Sequence, residues 1–327
     1  MTREWVLAAV VPAVLAWVAI ALLARMPWAA VLADHPNSRS LHERATPRLG
    51  GLGILLGVLP AALVLASGPL AAILACALVL ALLSLADDAW GLPVSVRLTG
   101  HLVAAGIAWL VMAAPPPGSA GVGWLASVAA IVAIAWMANL FNFMDGSDGL
   151  AGGMAAIGFA TLAAGAWDSG QRELALVCVA IASASVGFLA HNFPPARVFL
   201  GDVGSIPLGF LAGALGLYGT LSGAWPLAFP LLAFFPFIVD ASLTLARRAL
   251  RRERVWVAHR EHVYQRLALA GWPRRRLALA AYAVMLAFAV AALVLRPASP
   301  MLQCGIILGS AAVFGILLAA LDRHSPT

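Results

Sequence analysis

The chain has 327 residues, of which 63% are apolar and 10% charged, with a mean hydropathy of +0.95 and a formal net charge of +6. A soluble globular domain has no use for that much apolar surface, so the composition points to a membrane protein. Every one of its 20 positive charges is an arginine, so each can be followed along the chain. Apolar runs close to the roughly 20 residues that cross a bilayer predict eleven helices, at about 5–24, 49–67, 70–86, 99–114, 123–140, 150–167, 174–191, 204–220, 224–246, 277–295 and 302–320. The first is read as a retained helix: Arg3 is its only leading positive charge, and no small-residue cleavage site precedes the next loop.

The predicted fold is therefore all-α, a polytopic membrane helical bundle forming one domain over 1–327. Loops on one side carry Arg25, Arg39, Arg44, Arg48, Arg97, Arg197, ten arginines between Arg247 and Arg276, and Arg323. The other side carries Arg3, Arg172 and Arg296. Positive charge stays in the cytoplasm, so the amino terminus is expected outside and the carboxyl terminus inside. The pI near 10.2 then reflects topology and attraction to anionic membrane lipid, with no nucleic-acid partner. PPPGSAG at 115–121 is a short exterior turn, and Cys76, Cys178 and Cys304 lie inside apolar runs without zinc or redox spacing.

The remaining charge is concentrated in short loops on the cytoplasmic side. Asp87 and Asp88 end the run 70–86. One carboxylate would suffice as a polar helix stop, and two adjacent ones repel. In NLFNFMDGSDGL, Asn139, Asn142 and Asp145 recur every third residue, Asp148 follows three further on, and Gly146 and Gly149 allow a ligand close to the backbone. Helix capping accounts for one or two of these groups, not four. NFPPARVFLGDVGSIPLG opens on Asn192 and a rigid Pro-Pro pair, then offers Arg197 to a phosphate, Phe199 for packing or for stacking on a base, and Asp202 between Gly201 and Gly204.

Ionisable groups at the edge of a membrane mark function by default. With Arg97 and Arg197 as their only basic neighbours, these acids are expected to use a hard divalent cation, Mg2+ with Mn2+ substituting, as counterion. AHREHVYQRL, taken alone, reads as an amphipathic lipid-facing helix. Beside the acidic loops, its His259, Arg260 and His262 supply donors suited to a diphosphate. Arg251 and Arg275 in the same loop are expected to be charges facing lipid.

Five ordered motifs, HPNSRSLHERATPRLGGLGI at 35–54, the pair at 87–88, NxxNxxDGxDGL at 139–150, FLGDVGS at 199–205 and HRxHxYQRL at 259–267, together resemble the polyprenyl-phosphate N-acetylhexosamine-1-phosphate transferases. That group includes the undecaprenyl-phosphate GlcNAc-1-phosphate transferases and the phospho-MurNAc-pentapeptide transferase. The resemblance implies a phosphotransferase of the bacterial inner membrane, with its active site in cytoplasmic loops 25–48, 87–98, 139–150, 192–205 and 247–276. It passes a sugar 1-phosphate from a UDP-N-acetylhexosamine to polyprenyl phosphate and releases UMP. Asp202 is expected to be the first metal ligand, followed by Asp88 and Asp145. The resemblance points to Asp87 as a base toward the lipid phosphate, with positioning as the alternative role. It counts Asp87, Asp88, Asp145 and Asp148 as catalytic, and relates Asp148, Gly146 and Phe199 to a uridine pocket.

The same resemblance relates His259, Arg260 and His262 to the sugar and diphosphate, and Arg44 and Arg48 to the lipid phosphate. Asn139, Asn142, Asn192 and Arg197 complete the expected substrate-binding set. TPRLGG and an HRxHxYQRL loop without tandem histidines differ from the peptidoglycan enzyme and resemble the subgroup that starts O-antigen or other surface polysaccharides. The peptidoglycan transferase is the runner-up reading. A transporter is the alternative of another class, but it would place ionisable groups near mid-membrane. This reading is compatible with a homodimer.

Overall fold

The computed structural model describes residues 3–34, 45–113, 123–254 and 259–324. Arg39, Arg44 and the turn at 115–121 lie outside the described residues. The elements in order are α1 (Arg3–Ala9), α2 (Val11–Leu23), a short 3-10 turn (Pro27–Ala30), β1 (Ala33–Asp34), β2 (Thr46–Pro47), α3 (Gly50–Leu65), α4 (Gly68–Trp90), α5 (Val94–Met112) and α6 (Trp124–Met144). There follow α7 (Leu150–Asp168), α8 (Arg172–Asn192), α9 (Asp202–Leu221), α10 (Ala228–Ala233), α11 (Phe235–Leu250), α12 (Val263–Leu269), α13 (Arg274–Leu295) and α14 (Pro300–His324).

Among the described residues nine helices are long and apolar enough to cross a membrane, with α1 and α2 together forming the first. The other two expected runs are shorter or broken. The run at 49–67 becomes α3, sixteen residues with Pro60 inside. The run at 224–246 becomes α10 and α11, split at Phe234 just before Pro236. The cause there and at Pro12 in the first turn of α2 is the same, because proline has no N–H to bond the preceding turn and so favours a helix start.

Apolar burial cannot drive helix association inside lipid, so close packing must do so. Gly209 and Gly213 bring α9 against the backbone of α6 at Met137, Ala138 and Ile134. Aromatic edges fill the centre: Phe141 packs on Phe234 and Phe237, and Phe159 on Phe234. The charged groups separate to the two ends of the bundle. At one end Ser67 donates to Glu173 through its amide (2.6 Å) and hydroxyl (2.9 Å), Arg172 pairs with Glu4, and Arg296 pairs with Asp168. At the other end lie the C-termini of α4, α6, α8 and α11 and the N-termini of α3, α7, α9 and α13, where the acidic motifs stand.

Two loops are joined there by main-chain bonds. Phe199 N–H donates to Pro47 C=O (2.8 Å), Gly50 N–H to Phe199 C=O (2.9 Å) and Gly51 N–H to Leu200 C=O (2.8 Å). This pairing brings the first turns of α3 and α9 so close that a Cβ on Gly51 would strike the backbone of Gly204 and Val203. Gly51→Ala should therefore cost about 1–3 kcal/mol through overpacking and lower the thermal midpoint of the purified protein. Gly106→Ala, whose new methyl meets nothing within 4 Å, should leave the midpoint unchanged or raise it. Equal midpoints for the two variants would remove the α3–α9 approach as a constraint.

Candidate active site

The antiparallel β1–β2 pair and the main-chain pairing above fix Arg48 at the centre of the acidic end. Its guanidinium donates to Asp34 (2.5 Å) and lies 3.8 Å from Asp88. It also offsets the negative charge of Asp145 and Asp202. Among the described residues Arg48 is thus the cation that Asp88, Asp145 and Asp202 share, where the sequence pointed to Arg97 and Arg197. Arg97 does take part, donating to Asp87 Oδ2 (2.9 Å). Arg197 instead is exposed and donates to Ala190 C=O (3.0 Å), closing the end of α8.

Asp87 and Asp88 follow one another on α4, so their side chains point about 100° apart. Asp87 turns to the next loop and accepts from Leu92 N–H (2.7 Å) as well as from Arg97, which occupies both oxygens. Asp88 turns to Arg48. Asp202 begins α9 and accepts from Asn142 Nδ2 (2.7 Å), which also donates to Ser205 Oγ (3.1 Å). Asp145 ends α6 and accepts from Gly201 N–H. Its carboxyl is held well above the ordinary carboxylate range, first by burial and then by the charge of Asp202, against the opposing pull of Arg48. Asp202 thus repels both Asp145 and Asp88, and four chain segments meet around it.

Other expected site residues fasten loops together. Asp148 is buried, accepts from Ala196 N–H (3.0 Å) and pairs with Arg274 (3.4 Å). Asn192 accepts from Gly149 N–H (2.8 Å) and donates to Val198 C=O (2.9 Å). Asn139 donates to Ala135 C=O (2.7 Å) and meets His101 Nδ1 at 3.2 Å, so of the two asparagines only Asn142 reaches the acids. Gly146 is needed for a protein contact: a Cβ there would collide with the Tyr264 hydroxyl. Phe199 is half-buried, and its backbone is engaged in the pairing with Pro47 and Gly50.

Part of the basic loop turns inward, where the segment taken alone reads as a lipid-facing helix. His262 is 2% exposed and Tyr264 5%. His259 lies against the His262 ring (centroids 4.8 Å). Arg251, expected to face lipid, is bound with Arg248 to Glu253 and Glu261. Arg260 is half-buried beside them. His259 is pulled down from its ordinary value of 6.5 to about 4, first by burial, then by the charges of His262 and Arg248. It is neutral at physiological pH and suited to hydrogen bonding rather than to charge pairing.

Residues that the motifs did not single out include Asp34, Ser205, Tyr264, Asp240, Arg274 and Tyr282. Ser205 and Tyr264 sit inside quoted motifs, and Asp34 directly precedes one. Asp240 is the lone acid of its apolar run.

A divalent cation needs a convergent set of hard oxygen ligands. No group of three His, Cys, Asp or Glu among the described residues converges closely enough to hold one by itself. Mg2+, however, is usually held by one or two carboxylates together with substrate phosphates and water. Asp202 with Asp145 or Asp88 provides such a pair of hard oxygen ligands, and the unmet negative charge around Asp202 favours a cation. The residues fit a metal shared with a substrate.

Comparison with known proteins gives the same direction. Residues 70–220 match the model of glycosyl transferase family 4. The chain is 30% identical over 298 residues to a probable undecaprenyl-phosphate N-acetylglucosaminyl 1-phosphate transferase of Bacillus subtilis, covering 84% of this chain and 80% of that one. It is 30% identical over 356 residues to a decaprenyl-phosphate N-acetylglucosaminephosphotransferase of Mycolicibacterium smegmatis, covering 91% and 86%. It is 32% identical over 320 residues to a phospho-N-acetylmuramoyl-pentapeptide-transferase of Moorella thermoacetica, covering 90% and 98%.

The depressed His259 value has a consequence for stability. Below pH 6.5 the unfolded chain takes up a proton on this histidine, which the folded chain refuses until about pH 4. The stabilisation due to neutral His259 is therefore complete above 6.5 and lost as the pH falls through that window. His259→Gln has no such proton to refuse. The midpoint of wild type, relative to the variant, should fall between pH 6.5 and 4 in detergent melts. A difference independent of pH would show that His259 titrates normally.

Proposed function

The chain belongs to glycosyl transferase family 4, and from that premise we propose that it transfers an N-acetylhexosamine 1-phosphate from a UDP-sugar to polyprenyl phosphate. It is a multi-pass membrane phosphotransferase. An oxygen of the lipid phosphate bonds to the sugar-bearing phosphorus, the bond from that phosphorus to the UMP oxygen breaks, and UMP leaves. The observation that carries this reading is the meeting of Asp88, Asp145, Asp202 and Arg48 from four chain segments at one end of an apolar bundle. Phosphoryl transfer demands little covalent chemistry of the protein, only positioning and charge stabilisation, and this cluster can supply both.

Asp202, oriented by Asn142, and Asp145 or Asp88 would hold Mg2+. When bound, that ion would offset the charge developing on the diphosphate. Arg48, restrained by Asp34, is suited to the lipid phosphate. Asp87 has both oxygens engaged, which favours a positioning role for it. A phosphate monoester, with its second pKa near 6, is in any case mostly dianionic at pH 7 and needs no base. His259 and Arg260 are assigned to the sugar and diphosphate. TPRLGG and HRxHxY favour a surface-polysaccharide role over the peptidoglycan one, and the site is assigned to the cytoplasmic face by arginine bias.

Purified protein given radiolabelled UDP-GlcNAc and undecaprenyl phosphate should transfer label to lipid, lose that activity in chelator and regain it with Mg2+. Asp202→Asn should lower turnover by roughly 10²- to 10³-fold, the loss typical when a charge-stabilising group is removed, while the protein still purifies normally. Full turnover in excess chelator would exclude the metal, and an inactive wild type across a panel of UDP-N-acetylhexosamines would exclude the reaction.

Orientation is tested separately. A cysteine at position 299 should label in intact cells, and one at position 254 only after permeabilisation; the reverse pattern would invert the topology.

A further inference from the structure

Asp240 has no part in the acidic cluster, yet it lies only 3% exposed in an otherwise apolar stretch, FPFIVDASL. A buried carboxylate is expensive unless donors meet it. Here three do. Val263 N–H donates to both oxygens (3.2 and 3.1 Å), His262 Nδ1 to Oδ1 (3.3 Å) and Thr244 Oγ1 to Oδ1 (3.2 Å). Two of these donors belong to the basic loop, so the carboxylate ties α11 to the first turn of α12.

The contacts continue from there in two directions. The His262 ring lies parallel to Tyr264 (8°, centroids 5.9 Å apart) and against His259 (4.8 Å). The Tyr264 hydroxyl donates to Phe143 C=O (3.1 Å) and accepts from Gly146 N–H, the residues flanking Asp145. The fit is close, since Gly146 has no room for a methyl group beneath that hydroxyl. One unbroken series of contacts therefore links a carboxylate inside the bundle to His259 on one side and to the Asp145 turn on the other.

We propose that Asp240 is a positioning residue for the donor-binding loop: through Val263 and His262 it sets His259, and its neighbour Arg260, in register with the turn that presents Asp145. This rests on the reading that the loop holds the nucleotide sugar. Asp240 touches no reactant itself. Its effect belongs to donor binding, whereas a residue needed only for folding would affect donor and acceptor alike.

The test uses the full chain in detergent, as wild type, Asp240→Asn, Asp240→Ala, His262→Ala and the Asp240→Asn/His262→Ala double variant. Losing a hydrogen-bonded charge of this kind should raise the KM for the UDP-sugar about tenfold to a hundredfold, with the KM for polyprenyl phosphate within about twofold of wild type. The double variant should be no worse than its more damaged parent, because both residues act along one series of contacts. Hydrogen exchange, which needs no turnover, should quicken at 261–266 and also at 146–149 in Asp240→Asn, and stay unchanged at 50–53.

Equal rises in both KM values, additive losses, or unaltered exchange at 146–149 would each overturn the assignment. Should Asp240→Ala fail to accumulate, Asp240→Asn, which keeps an acceptor for Val263 N–H, decides the matter. A wild type that labels no lipid would count against the proposed reaction, and the exchange result would still decide whether Asp240 sets the loop.

Discussion

Three main-chain hydrogen bonds between Pro47–Gly51 and Phe199–Leu200 support most of what is chemically distinctive in this protein. Within the membrane a helix satisfies its own backbone, and only its ends offer free groups to a neighbour. The first turn of α3 donates its free N–H groups to the loop before α9, and Phe199 of that loop donates back to Pro47, which is possible because Gly51 and Gly204 lack side chains where the backbones meet. The result is an alignment that side-chain packing between apolar helices could not specify as narrowly. Arg48 comes just before one first turn and Asp202 opens the other, so the same bonds that join the helices set the guanidinium beside the carboxylates.

Charge balance explains why such alignment matters. Among the described residues, Arg48 and Arg97 together face Asp34, Asp87, Asp88, Asp145 and Asp202. Coulomb interactions strengthen as the local dielectric falls, so an acidic excess at the edge of a bilayer is unstable unless it is protonated or met by cations. The upward displacement of Asp145, caused by burial and by Asp202, is one sign of that excess. A divalent ion together with substrate phosphates would answer it. Folding energy is thus held in a site whose electrostatics are completed by what binds there.

Much of this was legible in the sequence. Hydropathy marked the nine spanning helices and also α3, α10 and α11, and the acids were recognised because a charge next to a long apolar run has few structural explanations. The misplaced features share a physical cause. The 224–246 run was read as one span because hydropathy is indifferent to the missing N–H of Pro236, which splits it. Arg48 was assigned to the lipid phosphate but not recognised as the acids' own counterion, because its nearness to Asp88 depends on pairing between segments about 150 positions apart. The basic segment reads alone as a lipid-facing helix, because periodicity does not show that Glu253 and Glu261 bind Arg248 and Arg251. Periodicity along one segment carries information about that segment's own faces, and none about which distant partner will neutralise it.

Within the motifs themselves, function divides between residues that look alike. Each of the two loops that carry a pair of acids contains one carboxylate held by protein donors and one left with fewer. Asp87 accepts from Leu92 N–H and Arg97, whereas Asp88 has Arg48 at 3.8 Å. Asp148 accepts from Ala196 N–H and pairs with Arg274, whereas Asp145 accepts from Gly201 N–H and remains displaced upward. Helix geometry produces the first division, since adjacent residues diverge by about 100° and cannot serve the same point. The turn at Gly149, with φ of +76°, accompanies the second by sending Asp148 toward the Pro-Pro loop. The well-satisfied member of each pair fixes its loop, and that rigidity holds the other in place at an electrostatic cost.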